Sequence, residues 1–346
     1  MRLIPGILII AVTALALRTA CAVEYRASSY VFGTVAQITV VGDDSLRLRD
    51  AVGLVLRDFD RMHRELHAWQ PGELVALNRA LARGEKQVPT TVEIARLIRD
   101  SQSLATRSGN VFNPAIGRLV ALWSFHRSQP GGPLPDASAV AQLVSAHPRM
   151  SDLRVEGERI TSANPAVQLD FGGYAKGYAL DRAAQLLRAY GIASALINIG
   201  GNIMALGSHG DRPWRVGLES PRGLAVMATL DLYDGEAVGT SGDYRRYYEV
   251  EGERYSHIID PNTGYPVRGV QSATVLVARQ PAAGALSDAA TKPIFIAGTG
   301  GWRKAAARIG VSRAMLVDMA GGVHITRDLA TRLHFVDSIQ IIDLVP

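Results

Sequence analysis

Cysteine is all but absent: Cys21, close to the N-terminus, is the only one in 346 residues. The body of the chain therefore has no disulfide, no thiolate metal ligand and no cysteine nucleophile. Lysine is scarce too. Lys86, Lys176, Lys292 and Lys304 stand against 33 arginines. Aromatics are only 6% of the chain, and no basic run interleaves with them, so nothing marks a nucleic-acid surface. Internal repeats and low-complexity tracts are missing. Among the eight histidines, only His63 and His67 share metal-ligand spacing, and on a helix end they read as an exposed face rather than a zinc site. Asp170-Phe171-Gly172 has no kinase companions, and the stretch GGYAKGY does not fit a Walker A loop.

With 47% apolar residues there is material for a large core. The stretch MRLIPGILIIAVTALALRTACAV has Arg2, then an apolar run from Leu3 to Leu17, then small residues. That run is short for a membrane span and suits a signal-peptide core, with Ala20-Cys21-Ala22 as the cleavage pattern. Residues 1–22 are thus expected to be a signal peptide and 23–346 one domain of an exported, periplasmic protein. Attachment to a membrane would require acylation at Cys21, for which Arg18 is a poor neighbour. Losing Arg2 and Arg18 lowers the net charge from +5 to +3, a mild excess suited to an anionic small ligand.

Residues 24–41 alternate as two strands broken at Phe32-Gly33-Thr34, and 44–66 have helical spacing. Pro71-Gly72 precedes a short helix. Thr90-x-x-Glu93 predicts a capping box for a helix closed by Gly109. Residues 126–136 are a Pro/Gly loop. Short strands at 151–170, a helix at 174–190, several strands and hairpins, a helix opening at GALSDAATK and another over 301–309 complete an α+β pattern.

Chemistry concentrates at a few stretches. In DFGGYAKGYALD, Gly172 and Gly173 precede a helix whose first turn carries Lys176. A helix N-terminus offers unpaired N–H groups to an anion, and Lys176 adds a full charge. NIGGN ends a strand at Gly200-Gly201, where backbone comes close to whatever lies opposite. TSGDYRRYY puts Ser241 in a polar turn, YSHIIDPNTG holds His257, and SDAATK places Asp288 at a helix start.

Taken in order, with FGT, AWQPGELVALN and GNVFNPAIGRLVALWSF, these stretches resemble the ApbE family of FAD:protein FMN transferases over nearly the whole of 23–346. The resemblance implies an ApbE-like, T-fold-like arrangement of mixed antiparallel sheets and packed helices, with an FAD cleft between two lobes. It implies FMN transfer from FAD to a Thr or Ser hydroxyl of an exported target through a phosphoester bond, with release of AMP and the help of Mg²⁺. Carried over by position, Phe32 and Trp69 would meet the flavin or adenine rings, and Val111, Phe112 and Asn113 would line the same cleft. Asp170, Gly172, Lys176, Gly200, Gly201, Ser241 and Ile259 would contact FAD. Gly173, by its carbonyl, and Asp288, by its carboxylate, would hold the metal, with Thr291 the nearest hydroxyl. His257 would act, beside Asp288, as base or as the group that orients the phosphate.

The chain departs from the family pattern at three places. Phe32 replaces a usual Met, Asn113 a usual Asp, and Lys292 stands where the metal motif has Thr, four residues past Asp288. Thr291 is one residue early, a rotation of about 100° on a helix. Lys292 either sets its ammonium where the metal would sit or points to solvent. The departures leave two alternatives beside transfer: an FAD pyrophosphatase yielding FMN and AMP, or a periplasmic flavin-binding protein without catalysis.

Overall fold

A computed structural model describes residues 22–223, 225–336 and 340–345. The expected signal peptide lies outside the described residues but for Ala22.

Nine strands form the central sheet, and their order across it is their order along the chain: Val23–Val31, Thr34–Gly42, Ser194–Ile199, Asn202–Leu206, Ala237–Gly242, Val270–Val277, Ala314–Asp318, Val323–Thr326 and Ile341–Val345. Neighbours pair antiparallel except the last, which runs parallel to Val323–Thr326. Both faces are covered, so inner strands are not half polar. Every residue of Val270–Val277 is buried, the uninterrupted pattern expected of a strand with packing on each side.

One face packs on the helices Ser45–Glu65, Ala175–Ala189 and Ala283–Ile309, through side chains such as Ile38, Phe59, Leu187, Val275 and Phe295. The other packs on a small sheet in the order Leu333–Phe335, Val226–Leu232, Trp214–Glu219. Alternation decides the split: Met204 and Leu206 join the helical side, and Ile203 and Ala205 the other. A third apolar cluster gathers Leu119, Trp123, Phe125, Val140, Tyr248, Tyr255 and Ile259 beneath the hairpin Tyr247–Val250/Glu253–Ser256.

The helix Ser45–Glu65 begins where Asp44 accepts from the N–H groups of Leu46 and Arg47. The expected capping box at Thr90 is corrected by one residue. Thr91 caps Val92–Ser108 by accepting from Ile94 N–H at 3.2 Å, because Thr90 is held by its N–H to the Glu158 carbonyl. Glu93 is drawn away to Arg61 and Tyr178. The two C-terminal helices expected after residue 283 are both present within Ala283–Ile309, separated at Gly298, whose φ 60° and ψ −170° are not helical.

Candidate active site

The helices Ala175–Ala189 and Ala283–Ile309 cross where Gly177 faces Gly284. A Cβ on Gly284 would lie 2.5 Å from the Gly177 carbonyl oxygen, and one on Gly177 would lie 2.7 Å from the Asp288 Cβ. Only two glycines allow this approach. It carries the buried Asp288 to the start of the first helix, where its Oδ2 accepts from Gly177 N–H at 3.0 Å. Asp181, one turn on, accepts from the N–H groups of Gly284 and Ala285 at 2.9 and 2.8 Å and so caps the partner helix in return.

The anion at this helix N-terminus is therefore the chain's own carboxylate. That corrects the reading of the 172–177 amides as a free phosphate cradle. Two ammonium groups flank it. Lys176 Nζ is 3.8 Å from Asp288 Oδ2 and donates to the Gly172 carbonyl at 3.3 Å. Lys292 Nζ donates to the Asp288 carbonyl at 2.8 Å and also to Asp288 Oδ1. Burial raises the Asp288 pKa, but the two ammonium groups and the Gly177 N–H more than offset it, and the group stays ionised. Burial, against the pull of Asp288 and with the push of Lys176, brings Lys292 down to about 8.

Lys292 thus does not point to solvent. Its Cε would be 3.2 Å from a Cβ on Gly173, so its ammonium stem fills the space between Gly173 and Asp288. Thr291 is fully buried and turned to the sheet. Its hydroxyl donates to the Asp288 carbonyl at 2.7 Å and meets Ser241 Oγ at 2.6 Å. Thr291 has one proton, so Ser241 is the donor in that pair. Ser241 and Thr291, placed by resemblance at the FAD and the metal, hold strand Ala237–Gly242 to the helix. Magnesium needs oxygen ligands, usually with one or two carboxylates and several waters. Here the carboxylate already has two cations on it, and among the described residues no group of three His, Cys, Asp or Glu side chains is placed for a metal. The residues present do not fit the expected ion.

His257 stands on the hairpin opposite. Its N–H and its Nδ1 both reach the Arg246 carbonyl at 3.0 Å. A carbonyl only accepts, so Nδ1 carries the proton and Nε2 keeps its lone pair. Burial first, then the charge of Lys176, with Arg246 and Lys292 adding to it, pushes the ring down to about 3. Phe125 meets its ring edge to face at 6.5 Å. Trp123 donates to the Gly264 carbonyl at 2.7 Å and stacks on Tyr255, which stiffens the hairpin from below.

Asp170 accepts from Gly172 N–H at 2.8 Å, and burial raises its pKa against the opposing pull of that bond, Arg246, the Trp69 indole and His67. Trp69 leans on His126 at 5.3 Å. Phe32, in the left-handed region at φ 54°, tips the first hairpin onto Phe59 and His63. His63 Nδ1 accepts from Phe32 N–H, and His67 Nδ1 from the N–H groups of Trp69 and Gln70. The neutral rings therefore carry their proton on Nε2, which suits donors and not metal ligands. Gly200 and Gly201 form the turn beside that tip, with φ 59° and 91°. A Cβ on Gly200 would lie 2.6 Å from Thr34 Oγ1, so what Gly200 admits is the protein's own hairpin. No atom lies within 4 Å of a Cβ on Gly201, which is left as the open one.

Three positions expected in the cleft face elsewhere. Phe112 is in the main core against Tyr174. Asn113 bonds the Pro148 carbonyl and Ala115 N–H, beside a small cavity shared with Ile116 and His147. The Ile259 side chain packs under the hairpin, so only its main chain is left for a ligand. Val111, next to them, is half-buried. Arg246 went unnoticed in the sequence. Its signal was the pair Arg245-Arg246 in the polar turn, and nothing there told one from the other.

The ApbE family model matches residues 32–316. An FAD:protein FMN transferase of Rhodobacter capsulatus is 41% identical over 331 residues, 94% of this chain and 62% of that protein, so the chain spans less than two thirds of that relative's length. One from Treponema pallidum is 32% identical, covering 77% of this chain and 78% of its own. The crystal structure of the ApbE protein of Thermotoga maritima superposes with a TM-score of 0.80 at 28% identity, over 89% of this chain and 99% of the other. The chain belongs to the ApbE family.

Proposed function

We propose that the protein transfers FMN from FAD to a Thr or Ser hydroxyl of an exported target protein. The acceptor Oγ attacks the FMN-side phosphorus of the pyrophosphate. The new O–P bond forms as the bond from that phosphorus to the bridging oxygen breaks, and AMP leaves with that oxygen and the electron pair. The hydroxyl proton passes to His257 Nε2 and from there to AMP or solvent. No electron changes hands.

The observation that carries this reading is the tautomer of His257: Nδ1–H is fixed on the Arg246 carbonyl, leaving an unprotonated Nε2 lone pair among Lys176, Lys292 and Arg246. A base set among cations suits a reaction that deprotonates a hydroxyl beside a dianionic pyrophosphate. Phe32, Trp69 and Val111 are the candidates for the ring systems, and Gly201 and the Ile259 main chain for close approach. The magnesium that accompanies the resemblance is not part of this reading, which needs only positive charge at the phosphates. Export, expected from residues 1–22, places the acceptor on the same side of the membrane as the enzyme.

The test is the purified protein with FAD and a peptide bearing the acceptor Thr. Covalently yellow peptide with one AMP per label is expected. AMP without label marks a pyrophosphatase, and bound FAD without AMP marks a carrier. His257→Asn should retain FAD and lose transfer by about 10²–10⁴-fold, the usual worth of a positioned base. Transfer at the wild-type rate would remove His257 from the reaction.

A further inference from the structure

The disagreement between the expected metal and the residues present has a constructive side. We propose that the Lys292 ammonium is a tethered cation standing in for the divalent ion, so that FMN transfer by this protein is independent of metal. The inference rests on the FAD reading above and deepens it.

The ammonium is held where an ion would be, between Gly173 and the Asp288 carboxylate, by Asp288 Oδ1 and the Asp288 carbonyl. Lysine has three N–H donors. Two are used on Asp288, and the third has no partner among the described residues. That donor is free for a non-bridging pyrophosphate oxygen. Lys176 lies on the other carboxylate oxygen, so Asp288 aligns two ammonium groups side by side. Two lysines and one carboxylate leave one net positive charge. Magnesium and Lys176 on the same carboxylate would leave two. The tethered cation is thus weaker by one unit, but it is covalently held at the site and owes nothing to the supply of ions. Arg246, near His257 and Asp170, contributes a further charge at the same cleft. Thr291, one position earlier on the helix, is turned to Ser241 instead.

The experiment compares the full-length protein with Lys292→Thr and Lys292→Met, which keeps much of the stem and loses the charge. Transfer and FAD binding are measured in excess chelator and again in millimolar Mg²⁺, and Mn²⁺ binding to each protein–FAD mixture is read by electron paramagnetic resonance. Wild-type transfer should change less than twofold with chelator, and Mn²⁺ should find no site. Lys292→Thr should fall at least 100-fold in chelator, recover with Mg²⁺ and bind one Mn²⁺. Lys292→Met should fall as far and not recover. Wild-type transfer that collapses in chelator and returns with Mg²⁺ overturns the proposal, as does one equivalent of Mn²⁺ bound by the wild type. If no transfer occurs under any condition, the functional reading fails by itself. The Mn²⁺ comparison then decides this one: no ion on the wild type against one on Lys292→Thr sustains it, and equal binding refutes it.

Discussion

Replacing Gly177 by Ala tests whether the helix crossing sets the site. A Cβ at this position lies on the Gly284 carbonyl oxygen and 2.7 Å from the Asp288 Cβ, where ordinary contacts begin at 3.4 Å. The obstacle is backbone, which has no rotamer to escape into, so the helices must part by close to 1 Å. Overpacking of this kind costs ~1–3 kcal/mol. The Gly177 N–H bond to the Asp288 carboxylate is stretched at the same time, and a charged hydrogen bond is worth ~1.5–3 kcal/mol. The better helix propensity of alanine returns ~1 kcal/mol. A net loss of about 1.5–5 kcal/mol follows from these terms. Gly300 is the control, exposed just beyond the break at Gly298, with no atom within 4 Å of its Cβ position. There the identical change should stabilise by ~0.5–1 kcal/mol. Urea unfolding of both variants should thus move the midpoint in opposite directions. Because Asp288 moves with the crossing, transfer by Gly177→Ala should fall about 100-fold, the typical effect of a 1 Å misplacement. If both alanines shift the midpoint alike, or Gly177→Ala transfers at the wild-type rate, the crossing does not govern the site.

Two further outcomes concern protons. Burial raises the Asp181 carboxyl from 3.8 to about 6, against the pull of the Ala285 and Gly284 N–H groups and of Arg96. Between those values the native state binds more protons than the unfolded state, so this group's contribution to stability falls as pH rises through that window and is fully lost above it. The stability of Asp181→Asn relative to wild type should therefore rise by on the order of 2 kcal/mol from pH 4 to pH 7; a flat difference would mean that the carboxyl titrates normally. His257, held at about 3 by burial and by Lys176, should remain neutral at pH 5 in the free protein, and bound pyrophosphate should raise its pKa by offsetting the lysines. Nitrogen-15 chemical shifts of the ring across a pH series, without and with FAD, check both halves, and an ordinary titration near 6.5 in the free protein contradicts the placement.

Periodicity located most elements of the fold because most segments have one dry face. The hairpin tip at Phe32 and the helix from Ser45 came from local signals alone. The sheet order did not, since register among nine strands is decided by packing on both faces, and a strand such as Val270–Val277 has no alternation to declare its direction. The helix Ala137–Ser145 was missed because it buries little beyond Val140 and follows a Pro/Gly loop. Capping erred by one residue at Thr90, since adjacent threonines offer the same hydroxyl and only the bond from Thr90 N–H to Glu158, distant in sequence, separates them.

The site was legible in its residues and not in its connections. Motif order marked Asp288, Lys176 and His257, but sequence has no means of showing that Gly177 is glycine for Gly284. From that crossing the rest follows. Once Asp288 enters the helix N-terminus, the partial positive charge there is answered from within the chain. On the proposed reading, a ligand phosphate would meet the ammonium groups of Lys176 and Lys292 ahead of the amides. Their reach is set by a carboxylate that both must share. The same geometry explains why slipping Thr by one position matters: at 291 the hydroxyl binds the sheet, and position 292, on the other side, is the one that looks across to Gly173. The residue that replaces an expected hydroxyl ligand there brings its own charge, and the carboxylate that would have held an ion holds Lys292.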